Sequence, residues 1–200
     1  MKAKRLFILI YIGLSLLNSG LRAQEVYLLK GGYELDISFS PDSMQVFTLR
    51  HEAMSRVIEE DPFLRYSGID FNAYLVLDRW ESQCDVCLYL YEKSSGKNLF
   101  KDKRYYESGY DMEHELLLYL DTDEKANPEG NLTLLDLHGL SEIHIDVSAF
   151  ITEKVFPVYY WTEFRINKVD DGYVSITYEG GGPHVTRKYK RELIRTLNYK

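Results

Sequence analysis

The feature that most constrains this chain is a succession of short extended runs, each closed by turn residues, that continues from Ala73 to Glu179. Ala73–Trp80 and Asp85–Glu92 are dense in aromatic and aliphatic residues, and Lys93-Ser94-Ser95-Gly96 turns the chain into Asn98–Tyr106. Glu113–Asp121 and Leu132–Leu137 form a second pair around Asn127-Pro128 and Gly130. Glu142–Phe150 and Val155–Asn167 follow, and Asp170-Asp171-Gly172 is a tight-turn signal before Tyr173–Glu179. Runs this short bounded by Gly, Pro, Asn and Asp are strands rather than helices, and their sequence excludes a doubly wound parallel sheet. Within each run, alternate side chains go to opposite sides of a ribbon, with one dry side and one wet side expected. Val86, Leu88 and Leu90 thus share one side, and Cys87, Tyr89 and Tyr91 the other.

Upstream, Val26–Lys30 and Tyr33–Phe39 flank Gly31-Gly32, and Pro41-Asp42-Ser43 makes a turn. Residues 44–58 fit two patterns. Met44, Val46, Phe47, Met54, Val57 and Ile58 lie on one helical face, yet Gln45–Arg50 also reads as a strand, and Glu59-Glu60-Asp61-Pro62 ends the segment either way. The expected fold is mainly β, an antiparallel hairpin meander forming a β-sandwich or barrel. Hairpins beginning near Leu75, Leu117 and Tyr159 recur at about forty-two residues, so a small or incomplete β-propeller is the alternative.

That alternative has a local counterpart in the sequence. The stretch Asp36-Ile-Ser-Phe-Ser-Pro-Asp-Ser-Met-Gln-Val-Phe47, with Phe39-Ser40-Pro41-Asp42 at its centre, resembles the start of the WD40-like repeats of TolB-type β-propellers. The resemblance implies an inner strand, a turn and a returning strand. It covers about a dozen residues; Ser43 stands where a Gly usually follows, and the later hairpins lack the motif.

Residues 1–23 have the form of a secretory signal peptide. Lys2, Lys4 and Arg5 precede an apolar run from Leu6 to Leu17, too short to span a bilayer, and Ala23 precedes the expected cut. Removing 23 of the 200 residues leaves 177, enough for one domain over 24–186 followed by a basic segment, 187–200. The leader holds four basic residues and no acid, so the formal charge of −7 becomes −11 after its removal. So acidic a chain is no generic nucleic-acid binder, since phosphate contact needs a basic field. No transmembrane segment is expected once the leader is gone, and the implied location is periplasmic or extracellular.

Cys84 and Cys87 are the pair that export makes interesting, because exported thiols meet oxidants. Leu77-Asp78-Arg79-Trp80, followed by Cys84 and Cys87, is similar in spacing to the thioredoxin active-site segment, which would imply a redox role for both thiols and a cis-proline role for Pro157. Thioredoxins begin a helix at the first cysteine, whereas Leu88-Tyr89-Leu90-Tyr91 reads as strand. On an extended strand the two Cα atoms would stand about 10 Å apart, beyond the reach of a disulfide without a turn or bulge between them.

Three other patterns carry chemistry by composition. Glu142, His144 and Asp146 alternate on one side of a strand with His138 nearby, a set able to bind metal or move protons, but a solvated strand face has the same pattern. The segment Asp121 to Asn127 has oxygen donors in a calcium-loop spacing, although Lys125, Ala126 and Leu132 occupy positions that should carry oxygen, Gly and Glu. In Phe156 to Phe164 the aromatic run places Tyr159 and Trp161 on one side, and these are the expected binding residues for a protein or carbohydrate partner. Tyr189, Leu193, Ile194 and Leu197 fit a short C-terminal helix with basic flanks. Asn131-Leu132-Thr133 matches a glycosylation sequon. No residues are expected to be catalytic, to hold a metal or to bind a cofactor. The function expected is that of a non-catalytic exported β domain binding a protein or glycan; the alternative is an exported thiol-disulfide enzyme using Cys84 and Cys87.

Overall fold

The computed structural model describes residues 24–80, 86–100, 104–123, 127–146, 164–170, 172–178 and 185–190. These form four antiparallel sheets, each a meander of consecutive strands. The first holds β1 (Glu25–Leu28), β2 (Glu34–Phe39), β3 (Gln45–His51) and β4 (Met54–Glu60). The second holds β5 (Leu64–Asp70), β6 (Tyr74–Trp80) and β7 (Val86–Glu92). In the third are β8 (Arg104–Asp111), β9 (Leu116–Asp123), β10 (Asn127–Asp136) and β11 (Ser141–Ile145). The fourth holds β12 (Phe164–Val169), β13 (Tyr173–Tyr178) and β14 (Val185–Lys190).

Three apolar layers join the four sheets in sequence order. Leu35, Ile37, Phe47 and Leu49 of the first sheet meet Leu64, Leu75, Leu77 and Tyr91 of the second. The opposite side of the second sheet, with Tyr74, Val76, Leu88 and Leu90, meets Leu117, Tyr119 and Leu135 of the third. In turn Leu116, Leu118, Leu132 and Leu134 meet Phe164, Val174, Ile176 and Tyr178 of the fourth. The middle sheets are therefore dry on both sides, and their sequences show it: Tyr74-Leu-Val-Leu and Leu116-Leu-Leu-Tyr are continuous apolar runs. Each fully buried leucine contributes about 1.5–3 kcal/mol relative to exposure.

The mainly β, hairpin-meander expectation holds. The arrangement is four sheets in a row rather than two facing sheets, and no barrel closes among the described residues. The order of strands within sheets, and of sheets along the row, is what neighbouring propeller blades require. First strands also lie beside first strands: Tyr27 of β1 meets Tyr66 of β5 at 4.8 Å between ring centroids. At Gly109 of β8 an added Cβ would stand 3.4 Å from backbone atoms of Phe164, Arg165 and Ile166 on β12, a close approach of two backbones that a glycine suits.

Residues 44–58 resolve as strands β3 and β4 around a turn at Glu52, whose φ is 51°. The apolar side chains there serve two sides of a ribbon, not one face of a helix. The expected strand Asn98–Tyr106 is instead a single bridge from Asn98 to Tyr91, and the extended chain restarts at Arg104 in the next sheet. Asn98 causes the break, its side-chain oxygen accepting the Phe100 N–H at 3.0 Å and turning Phe100 into the second layer against Tyr119. Arg187 to Lys190 belong to β14, paired with β13, so the basic segment begins inside the last sheet. The short helix expected beyond it, residues 191–200, lies outside the described residues, as does the leader.

The Phe39-Ser40-Pro41-Asp42 stretch folds as a strand, a turn and a returning strand. Phe39 ends β2, the chain turns through Pro41 to Ser43, and β3 returns. Ser43 adopts φ 66°, the left-handed conformation that a glycine would take more cheaply, while Ser40 Oγ accepts the Met44 N–H at 3.2 Å.

Candidate functional site

Tyr159, Trp161 and Cys84 lie outside the described residues. Cys87 is 1% exposed and sits in the interior of strand β7, not at the start of a helix. Strand placement supplies no helix dipole to lower a thiol pKa, and burial shields the sulfur from attack. Glu142, His144 and Asp146 occupy exposed positions of and just beyond β11, while Ile143 and Ile145 pack into the third layer. Glu142 accepts the Tyr119 hydroxyl proton at 2.7 Å, and His144 Nδ1 lies 3.1 Å from Thr133 Oγ1. The three do not converge, and among the described residues no group of three or more His, Cys, Asp or Glu side chains is placed to hold a metal ion.

The densest polar chemistry lies elsewhere, at the end of the row where β1–β2, β5–β6, β8–β9 and β10–β11 turn. Each turn is short, and in all but the β5–β6 turn the chain reverses through left-handed residues: Gly31 and Gly32 at φ 73° and 75°, Glu115 at 55° and Leu140 at 50°. Lys93, directly after β7, points inward from this end and is 1% exposed. Its ammonium group pairs with Asp70 Oδ1 at 2.5 Å and donates to the carbonyls of Phe71 at 2.6 Å and Lys30 at 3.0 Å. The ammonium thereby has two carbonyl acceptors and a carboxylate counter-charge, the condition for burying it. Tyr33 lies beneath, its ring centroid 5.6 Å from the nitrogen.

This lysine ties sheets together. Asp70 Oδ2 accepts the Lys30 N–H at 2.6 Å, joining the second sheet to the first turn. Glu115, 5% exposed, accepts the Asn72 N–H at 2.7 Å, joining third to second. Lys30 Nζ donates to the Met112 carbonyl at 3.0 Å, joining first to third. His138, half exposed, stands 3.4 Å from both Glu115 Oε2 and Asp136 Oδ1 and so carries the network to the surface. Asp136 is wholly buried; its Oδ1 accepts the His138 backbone N–H at 3.0 Å, while Oδ2 has no hydrogen-bond partner among the described residues.

Burial pushes the Lys93 ammonium below its ordinary pKa, and the Asp70 carboxylate works against that shift. Asp111 beside this end is also buried in part, which alone would raise it, yet hydrogen bonds from the His114 and Glu113 backbone and the His114 ring hold it below the usual carboxylate range. Around the buried charges the surface presents Lys30, Glu113, His138, Leu140 and Tyr110. Nothing in the sequence marks this assembly: Lys93 reads as the first residue of a Lys-Ser-Ser-Gly turn, and Asp70 and Glu115 are each more than twenty residues away.

No family model matches this chain, and no curated protein matches it. Among solved structures, TolB from Acinetobacter baumannii is similar, with 11% identical residues and a TM-score of 0.35. That likeness covers 80% of this chain and 39% of the TolB chain, so the protein spans well under half of its length.

Proposed function

We propose that this is an exported, non-catalytic binding domain that engages a protein or glycan partner through the turn end of its row of sheets. What carries the reading is the buried Asp70–Lys93 pair with Glu115, which fixes three turns against one another by charge-assisted contacts. A surface held this way is preorganised, so a partner meets it without first ordering loops. Lys30, Glu113, His138 and Leu140 mix both charges, an imidazole and one aliphatic group, a combination that fits a protein surface better than a sugar ring. A glycan partner instead calls on Tyr159 and Trp161 as stacking residues. The leader-like residues 1–23 support export, and the placement of Cys87 inside a strand ranks a thiol-disulfide activity second.

The test is site-specific photocrosslinking in the producing cell. A benzoylphenylalanine placed at Leu140 is expected to give a discrete adduct, and the same group at Phe63 on the opposite end is expected to give none. Equal labelling from both ends, or none from Leu140, refutes the proposed surface. N-terminal sequencing of the exported product is expected to begin at Gln24.

A further inference from the structure

The two ends of the row differ in charge, and the difference is organised by strand register. On the first sheet, the side turned away from the core carries Val26, Asp36, Thr48 and Val57 in one cross-strand row, with Leu28, Glu34 and Arg50 in the next. Val26, Leu28 and Val57 are 51%, 81% and 52% exposed. Asp36 is paired with Arg50, and the Gln24 amide nitrogen donates to its carboxylate from 2.8 Å to either oxygen, so Glu34 and, across from Val46, Glu60 leave the face acidic.

The outward side of the fourth sheet is the opposite. Register places Arg165 with Thr177 and Thr186, and Lys168 with Ser175 and Lys188, on the side away from the third layer. Arg165, Lys168, Thr186 and Lys188 are exposed, and no acid shares that side among the described strand residues. Ser175 and Thr177 on the central strand are buried at 5% each, so the reachable part of this side is the charged side chains that flank them and Tyr173, which is 41% exposed. In a chain whose charge is strongly negative, a basic sheet face is a local reversal.

We propose that copies of this protein associate head to tail, the outward side of the fourth sheet of one copy stacking on the outward side of the first sheet of the next. Charge, position and packing mode point to a second copy as the occupant. The faces are opposite in sign, each is the outward side of a terminal sheet, and sheet-on-sheet stacking is the mode by which the chain already joins its own four sheets. The aliphatic stems of Lys168 and Lys188 and the ring of Tyr173 cover Val26, Leu28 and Val57 while their charges reach Glu34 and Glu60. Because the contact joins unlike surfaces, it closes into a ring if the rotation allows and otherwise extends.

Sedimentation of the exported protein, purified from cells that process its own leader, tests this. Association is expected to rise with protein concentration at low salt and to weaken at least about tenfold at high salt, since exposed charges carry it. Lys168→Glu with Lys188→Glu is expected to give monomer, as is Glu34→Lys with Glu60→Lys, and combining all four substitutions restores assembly. Matching melting midpoints show that loss of assembly is not loss of fold. A chain that stays monomeric at every concentration, or assembles regardless of both swaps, overturns the proposal. Sedimentation with phosphatidylglycerol vesicles in place of self-association also overturns it, assigning the basic face to a lipid surface.

Discussion

The middle and end sheets are built from the same strands and turns but obey different rules of composition. From Tyr74 to Leu77 in β6 and from Leu116 to Tyr119 in β9 every successive side chain is buried, because a neighbouring sheet covers each side. In β2 the run Glu34-Leu-Asp-Ile-Ser-Phe alternates polar with apolar residues, and in β13 Tyr-Val-Ser-Ile-Thr-Tyr sets Ser175 and Thr177 opposite Val174 and Ile176. The reason is that only one side of each meets a neighbouring apolar layer, even though Asp36, Ser175 and Thr177 are themselves buried. A strand's pattern therefore reports how many neighbours its sheet has, and position in the row is written in the sequence.

The sharpest way to break this comparison is at the charge that ties the sheets. Lys93→Met leaves Asp70 buried without its cation and is expected to cost about 3–5 kcal/mol in urea denaturation. A loss under about 1 kcal/mol would mean that the turn end relaxes freely and that the network does not bind the sheets together.

Next in size are paired truncations on adjacent residues. Leu117→Ala and Leu118→Ala point to opposite sides of β9, and both are expected to cost about 2–5 kcal/mol. In the first sheet the equivalent neighbours behave unequally: Leu49→Ala is expected to cost as much, whereas Thr48→Ala on the outward side costs under about 1 kcal/mol. Equal costs at Leu49 and Thr48 would erase the distinction between middle and end.

Acid titration sharpens the comparison further. Asp78 lies on the side of β6 that faces the third sheet, and burial pushes its pKa up to about 6, with Arg65 pulling it back only in part. Its folded pKa exceeds the unfolded value of about 3.9, so its contribution is present below about pH 4 and lost as pH rises through about 6. Asp78→Asn is expected to remove that slope and to add about 1 kcal/mol at pH 7.5, allowing for solvent screening. Asp111 has the opposite sign: its pKa is lowered, so its stabilisation holds above about pH 4 and is lost on acidification through the folded value. Melting curves from pH 3 to 8 for Asp78→Asn and Asp111→Asn should tilt in opposite directions.

The smallest effect is expected at Ser43. Glycine accepts φ 66° without the steric cost that serine bears, so Ser43→Gly gains about 0.5–1 kcal/mol by differential scanning calorimetry. A loss there would mean that the turn depends on the serine side chain.

Strand content and most hairpin positions were legible because turn chemistry is local: Asp170 with Gly172, and Pro41 with Asp42, act within a few residues. The expectation of one wet side failed for β6, β7 and β9, since burial on both sides is decided by sheets far along the chain. Asn98 escaped for a different reason, its side chain competing with the ladder for a backbone N–H. The turn-end network was invisible because Lys93, Asp70, Glu115 and His138 meet only once three sheets have stacked, and no spacing encodes that.

Stacking in chain order also governs how such a protein forms as its residues emerge one after another during synthesis. Each meander finishes pairing from its own consecutive residues, so folding advances vectorially with short loop closures and little backtracking. A newly emerged middle sheet nevertheless waits with one greasy side uncovered until the next arrives. The interval between the second and third sheets, across residues 92–116, is the moment at which a holdase would find most to grip.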